Sequence, residues 1–326
     1  MTDGNNVIKS DSQSTGGTGE VITNHFEIYG PDNGTVQAWS AEYVPHQPKD
    51  WKKTLATEIT TRCGGLRPET GQVLHATFFG KKKVNADVEN LVLYNIGAFG
   101  KASDNGIRFE HGAGVPPAPS GTQHPFCYRY ELAPEDHSFR AWQPGETLAS
   151  FDWINLGEFK GEKLAAPAWL ALSRAYERGQ AEVYRSDFEP GTEFAVRIHI
   201  RPPRKHTRAL SNMVKGIVDG TVSAFQAHTD LTVLPRVIPP LVKAIHAASP
   251  ALEADIFEVE RHLREQGRGV LGEVAQLISP NNGGGFAFAP DDHLCVAGQL
   301  LRVDPPGDLH WSIKGDVLRL SPRQDG

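Results

Sequence analysis

The chain has 326 residues, with 33 Lys and Arg against 39 Asp and Glu, a formal net charge of −6 and a pI near 6.1. Apolar residues make up 39% and charged residues 22%, a balance typical of a globular protein, so most of the chain should fold. A mildly acidic chain is not a general polyanion binder, and any contact with nucleic acid therefore depends on a local basic patch.

The amino terminus and the cysteines both bear on where the protein is located. Residues 1–20 are mostly Gly, Ser, Thr, Asn and Asp, and they are expected to form a disordered tail without the features of a secretion signal. The sequence contains no run of about 18 apolar residues, so no membrane-spanning helix is predicted. Cys63, Cys127 and Cys295 are odd in number and far apart, which favours a reducing compartment over a disulfide framework or a structural zinc site. We therefore predict a cytoplasmic protein with no membrane contact.

The first predicted unit covers residues 21–112. Apolar residues recur every fourth position over 50–61, which predicts a helix. A strand is predicted over 73–79, and a helical apolar stripe follows over 88–99. The Pro-rich and Gly-rich stretch 113–122 then predicts a linker.

The second predicted unit covers residues 123–278, and a β-rich C-terminal extension covers 279–326. Alternating and periodic apolar residues predict further strands and helices in these two segments. The strands are predicted over 126–132, 194–200, 296–303 and 309–318, and the helices over 167–176, 213–222 and 254–266. The fold class is therefore α/β with mixed sheets, arranged as two related strand–helix units in tandem.

An internal repeat supports the tandem arrangement. Leu74–Ile96 aligns with Val196–Val218 without a gap, each segment passing from a strand through a basic loop to a helix. Lys83 and Lys205, Asn90 and Asn212, and Val92 and Val214 are identical pairs. Since any two strand–helix units share some pattern, chance similarity stays open beside duplication.

The start of the first repeated helix is the best candidate for a metal site. Asp87 and Glu89 flank a single residue just after a run of three lysines, and two such carboxylates can share a divalent cation. Asp104 and Glu110 lie one short loop beyond the helix and are candidates for the third ligand, and Asp104 is the one that we predict. The alternative is that Asp87 caps its helix and the lysines form a solvated turn.

The second repeated helix carries Asn212, Lys215 and Asp219 at spacings that place them on one helical stripe, and Asp230 follows shortly after. The alternative is an outer polar face with a Lys–Asp pair, which would contribute only a few tenths of a kcal/mol.

These residues resemble the signature of RusA-type Holliday-junction resolvases. The family shows Asp-x-Asp-Asn, a Lys three residues after the Asn, then Leu-Asp-Ala/Gly and a further Asp. In the second copy four positions match: Asn212, Lys215, Asp219 and Asp230. Ala209 and Ser211 stand at the two leading acidic positions, so this copy lacks the metal-binding pair.

The first copy departs from the same pattern in the complementary way. Asp87, Glu89 and Asn90 match the Asp-x-Asp-Asn start, with Glu for the second Asp. Leu93 stands where the Lys is expected, and Gly97 where the helical Asp is expected. The resemblance covers about 40 residues in each half.

The resemblance implies a fused, diverged pair of subunits that cuts structured DNA with carboxylate-bound Mg²⁺, or a DNA-binding descendant that has lost activity. Asp87 and Glu89 would be the catalytic metal ligands. The phosphate contacts would be Lys82, Lys83, Arg204, Lys205 and Lys215. Two other hypotheses stay open: a non-catalytic scaffold with a pseudo-symmetric surface that binds a protein partner, and an enzyme acting on a small molecule between the halves.

Overall fold

A computed structural model describes residues 20–82, 86–161, 163–184, 191–204, 209–304 and 309–323. The strands are β1 (Val21–Ile22), β2 (Phe26–Asp32), β3 (Thr35–Ser40), β4 (Gln72–Phe79), β5 (Gly106–His111), β6 (Phe126–Pro134), β7 (Trp142–Gly157), β8 (Ala181–Val183), β9 (Phe194–Arg201), β10 (Ala227–His228), β11 (Glu273–Val274), β12 (Ile278–Pro280), β13 (Phe286–Phe288), β14 (Cys295–Arg302) and β15 (Trp311–Pro322).

The helices are α1 (Asp50–Cys63), α2 (Ala165–Glu177), α3 (Val214–Ala224), α4 (Leu234–Ala248) and α5 (Ile256–Arg264). A short π-helical segment spans Asn90–Tyr94, where the sequence predicted a longer helix. The short 3-10 segments are Gly100–Ser103, Leu210–Asn212, Leu231–Val233, Pro250–Leu252 and Asp292–Leu294. The α/β class predicted from the sequence is confirmed. Among the described residues, no helix is long and apolar enough to cross a membrane.

Within the described residues, eleven strands form one mixed sheet in the order β1-β2-β3-β6-β4-β5-β14-β9-β15-β7-β8. The central pair, β5 and β14, is antiparallel. Outward from this pair, the first neighbour on each side is parallel, β4 beside β5 and β9 beside β14. The next two neighbours on each side are antiparallel, β6 and β3 on one side and β15 and β7 on the other.

The corresponding elements on the two sides of the sheet also occur in the same order along the chain. One side reads β3, α1, β4, the segment Asn90–Tyr94, β5 and β6. The other reads β7, α2, β9, α3, β14 and β15, with β8 inserted before β9, and β10, α4, α5, β11, β12 and β13 inserted before β14. This order groups β6 with the first half and β14 and β15 with the second, across the unit boundaries that we predicted. It is the arrangement that duplication predicts, while common origin itself stays a prediction.

The close approach of α3 to α2 depends on two glycines of α3, Gly216 and Gly220. A Cβ atom at Gly216 would lie 2.4 Å from the Cβ of Leu164. At Gly220 it would lie 2.6 Å from the Cβ of Ala168 and 2.7 Å from the backbone oxygen of Ala165. Such distances are shorter than van der Waals contact, so a larger residue would push the two helices apart.

We expect the substitution Gly220→Ala to lower the free energy of unfolding by about 1–2 kcal/mol, since overpacking outweighs the higher helix propensity of Ala. Urea denaturation measures this change. Gly114→Ala is the control, because a Cβ there meets no atom within 4 Å. Equal stability of both variants would show that α2 and α3 separate at little cost.

Candidate metal centre between the two halves

The first half contributes Asp87 and Glu89, which lie just before the segment Asn90–Tyr94 and downstream of the end of β4. Glu89 is 1% exposed. Asp87 is half-buried, and its Oδ2 accepts a hydrogen bond from the side-chain amide of Asn90. The carboxylate of Glu89 is therefore shielded from solvent and that of Asp87 partly so.

The second half contributes Lys215 and Asp219, on the first two turns of α3. The Nζ of Lys215 lies 3.1 Å from Oδ1 of Asp219 in the same helix. It also lies 3.5 Å from Oε1 of Glu89 and 3.8 Å from Oδ2 of Asp87. The acidic start of the first copy of the motif and the Lys–Asp pair of the second copy thus meet at one place.

A third element brings Asp292, which precedes β14 and was not predicted from the sequence. One oxygen each of Asp87, Glu89 and Asp292 lies within 4.8 Å of the others, and Asp292 is 7% exposed. The Nζ of Lys82 donates a hydrogen bond of 2.7 Å to the backbone oxygen of His293. Lys82 therefore ties the loop that carries Asp292 to the end of β4.

Several acidic groups share this buried place with few positive charges. Burial raises the pKa of Glu89 above its usual range, and although Lys215 opposes the rise, Asp87 and Asp219 add to it. Burial likewise raises the pKa of Asp292 and of Asp219. Burial lowers the pKa of Lys215, but the surrounding carboxylates outweigh this effect and raise it overall. The carboxylates would ionise together more easily if a further cation were present.

The lack of hydrogen-bond partners for Glu89 also favours a bound cation. Both of its carboxylate oxygens are buried, and neither has a hydrogen-bond partner among the described residues. A buried carboxylate without such partners is costly unless it is protonated or binds a cation. Oxygen ligands of this kind suit Mg²⁺ or another hard divalent cation, so Asp87, Glu89 and Asp292 fit a metal.

A cavity of about 710 Å³ opens beside the carboxylates. Glu89, Lys215 and Asp219 line it from the charged side, and Phe286 and Phe288 of β13 line it with Tyr94 from the apolar side. A small organic group could therefore lie within reach of the acidic residues.

The other residues predicted for the site lie in the wall of the cavity, elsewhere in the fold or outside the described residues. Asp104 is exposed at the end of a 3-10 segment and is not part of the acidic group. Asp230 accepts hydrogen bonds from Thr232 and Gln276 at the start of another 3-10 segment. Asn212 lines the cavity. Lys83 and Lys205 lie outside the described residues.

Two of the residues predicted to contact phosphates, Lys82 and Arg204, follow strands that end at opposite ends of the sheet. Since β5 and β14 are antiparallel, the end of β4 lies near the start of β9. Lys82 follows β4 and Arg204 follows β9, so the two residues lie at opposite ends of the strands.

Comparison with known proteins finds no match for this chain among protein-family models, curated proteins or solved structures.

Proposed function

We propose that this chain is a divalent-cation-dependent nuclease that acts on structured DNA in the cytoplasm. The observation that carries the proposal is the convergence of Asp87, Glu89 and Asp292 on one buried place, with Lys215 beside them. The resemblance to RusA-type resolvases supplies the substrate class. The three cysteines are buried and unpaired, as expected in a reducing compartment.

Asp87, Glu89 and Asp292 would hold the ion, and Asp219 would keep Lys215 in place through its ion pair. A bound Mg²⁺ supplies charge neutralisation at a phosphate and lowers the pKa of a bound water. Lys215 is charged and partly exposed to the cavity, so it can bind a non-bridging phosphate oxygen. In the reaction one P–O bond forms to a water oxygen and one P–O bond to a sugar oxygen breaks; the water loses a proton and the leaving oxygen gains one.

Two measurements on the unmodified protein test the proposal. We expect calorimetry to detect Mg²⁺ binding, and we expect Mg²⁺ to support cutting of a four-way DNA junction in preference to linear duplex. Removal of the ion with EDTA should stop the reaction and readdition should restore it. Absence of both binding and cleavage would overturn the proposal and leave DNA binding without catalysis or a scaffold role.

The cavity favours a second candidate, an enzyme that uses the same cation on a small molecule. Its volume suits a ligand of drug-like size. Mg²⁺ binding without cleavage of any DNA substrate would favour this candidate over the nuclease.

A further inference from the structure

The cavity beside the metal centre is lined by the same positions of both halves. Strand β4 (Gln72–Phe79) aligns residue for residue with β9 (Phe194–Arg201), and the gapless alignment continues into the helices that follow. On this alignment Glu89 corresponds to Ser211, Lys215 to Leu93 and Asp219 to Gly97. These side chains and the glycine backbone all line the one cavity.

The positions that correspond to the charged residues of the site carry no charged group in the opposite half. Ala209 corresponds to Asp87, and alanine offers neither charge nor a ligand atom. The Oγ of Ser211 accepts from the backbone N–H of Phe99 at 3.5 Å and lies 3.4 Å from the Oγ of Ser103, so it is engaged in holding the halves together. Leu93 is buried and cannot replace a lysine.

Each half therefore provides a different part of one site. The first half supplies Asp87 and Glu89, and the second supplies Lys215, Asp219 and the loop of Asp292. Over the described ranges, Asp87, Glu89 and Asp292 are the one set of three or more His, Cys, Asp or Glu residues close enough together to hold a metal ion.

We infer that the two halves of this chain build a single working site, and that the chain consequently cuts one DNA strand per encounter and leaves a nick. This inference rests on the proposed nuclease function. A symmetric pair of cuts would need a second acidic set at Ala209 and Ser211, and neither residue supplies a carboxylate. One water molecule hydrolyses one phosphodiester bond for each bound substrate.

Mn²⁺ binding, followed by electron paramagnetic resonance, tests the single site in the full chain. We expect Asp87→Asn to weaken Mn²⁺ binding by about 100-fold or more. Ser211→Ala is the control, because it changes the position that corresponds to Glu89 in the other half, and it should bind Mn²⁺ like the unmodified protein. Tight Mn²⁺ binding that survives in Asp87→Asn and disappears in Ser211→Ala would overturn the inference. No Mn²⁺ binding by the unmodified chain would remove the nuclease function and this inference with it.

Cleavage of a supercoiled plasmid with an extruded cruciform tests the nick directly, with the protein kept below the plasmid concentration. We expect nicked circles to form first, and linear molecules to follow only after a second encounter. Linear molecules that form as fast as nicked circles would show paired cuts, which overturns the single site while the nuclease function stands.

Discussion

Substitution of Asp87 by Asn is expected to reduce Mg²⁺-dependent cleavage by about 100-fold or more and to change the free energy of unfolding by less than about 1 kcal/mol. The carboxylate charge is needed to hold the cation, whereas an amide keeps the size of the side chain and can still hydrogen-bond to Asn90. Glu89→Gln should behave in the same way. Calorimetric Mg²⁺ titration, junction cleavage and urea denaturation measure the three quantities.

Asp292 and Asp104 provide a matched pair of variants, one inside the acidic group and one outside it. Asp292→Asn should lose cleavage like Asp87→Asn, because Asp292 belongs to the acidic group, while Asp104→Asn should retain it, because Asp104 is exposed and outside that group. If Asp87→Asn cuts as fast as the unmodified protein, Asp87 serves only the start of its helix, since Asn and Asp are about equally good there.

The sequence predicted part of the site because four of its residues lie in two short repeated motifs. Asp87 and Glu89 were singled out in the first copy, and Lys215 and Asp219 in the second. Their meeting at one place depends on the antiparallel pairing of β5 with β14, which no local pattern encodes. Asp292 had no signal of its own, because it follows a glycine-rich loop and its partners are distant in sequence.

The elements that the sequence missed have identifiable physical reasons. Helix α4 contains Pro239 and Pro240, which remove backbone donors and normally end a helix. Its buried face, which includes Val237, Leu241 and Ile245, packs into the core and offsets that loss. Strand β7 was missed because its alternation is irregular, and its main partner β15 lies at the other end of the chain.

Replacement of Lys215 by Met is expected to destabilise the metal-free protein by about 3 kcal/mol, the low end for removing one partner of a buried ion pair. The Nζ of Lys215 lies within 4 Å of carboxylate oxygens of Asp87, Glu89 and Asp219, and methionine removes its positive charge. Burial already raises the pKa values of Glu89 and Asp219, and loss of the lysine charge would raise them further, so the folded protein would hold protons more tightly than the unfolded chain. The free energy of unfolding should therefore fall as pH rises above the ordinary carboxyl range, and recover on acidification.

Mg²⁺ should restore part of the stability lost in Lys215→Met, by about 1–3 kcal/mol at 10 to 100 times its dissociation constant, because the ion replaces the missing positive charge. Urea denaturation at pH 5 and pH 7.5, with and without Mg²⁺, measures these effects. Lys314→Met is the matched control, since the Nζ of Lys314 lies 3.2 Å from Oδ1 of Asp152 in an exposed pair. That pair should contribute less than about 1 kcal/mol and respond to neither Mg²⁺ nor acidification. Equal stability of the two variants at pH 7.5 without Mg²⁺ would show that the carboxylates near Lys215 are solvated and do not form a buried cation site.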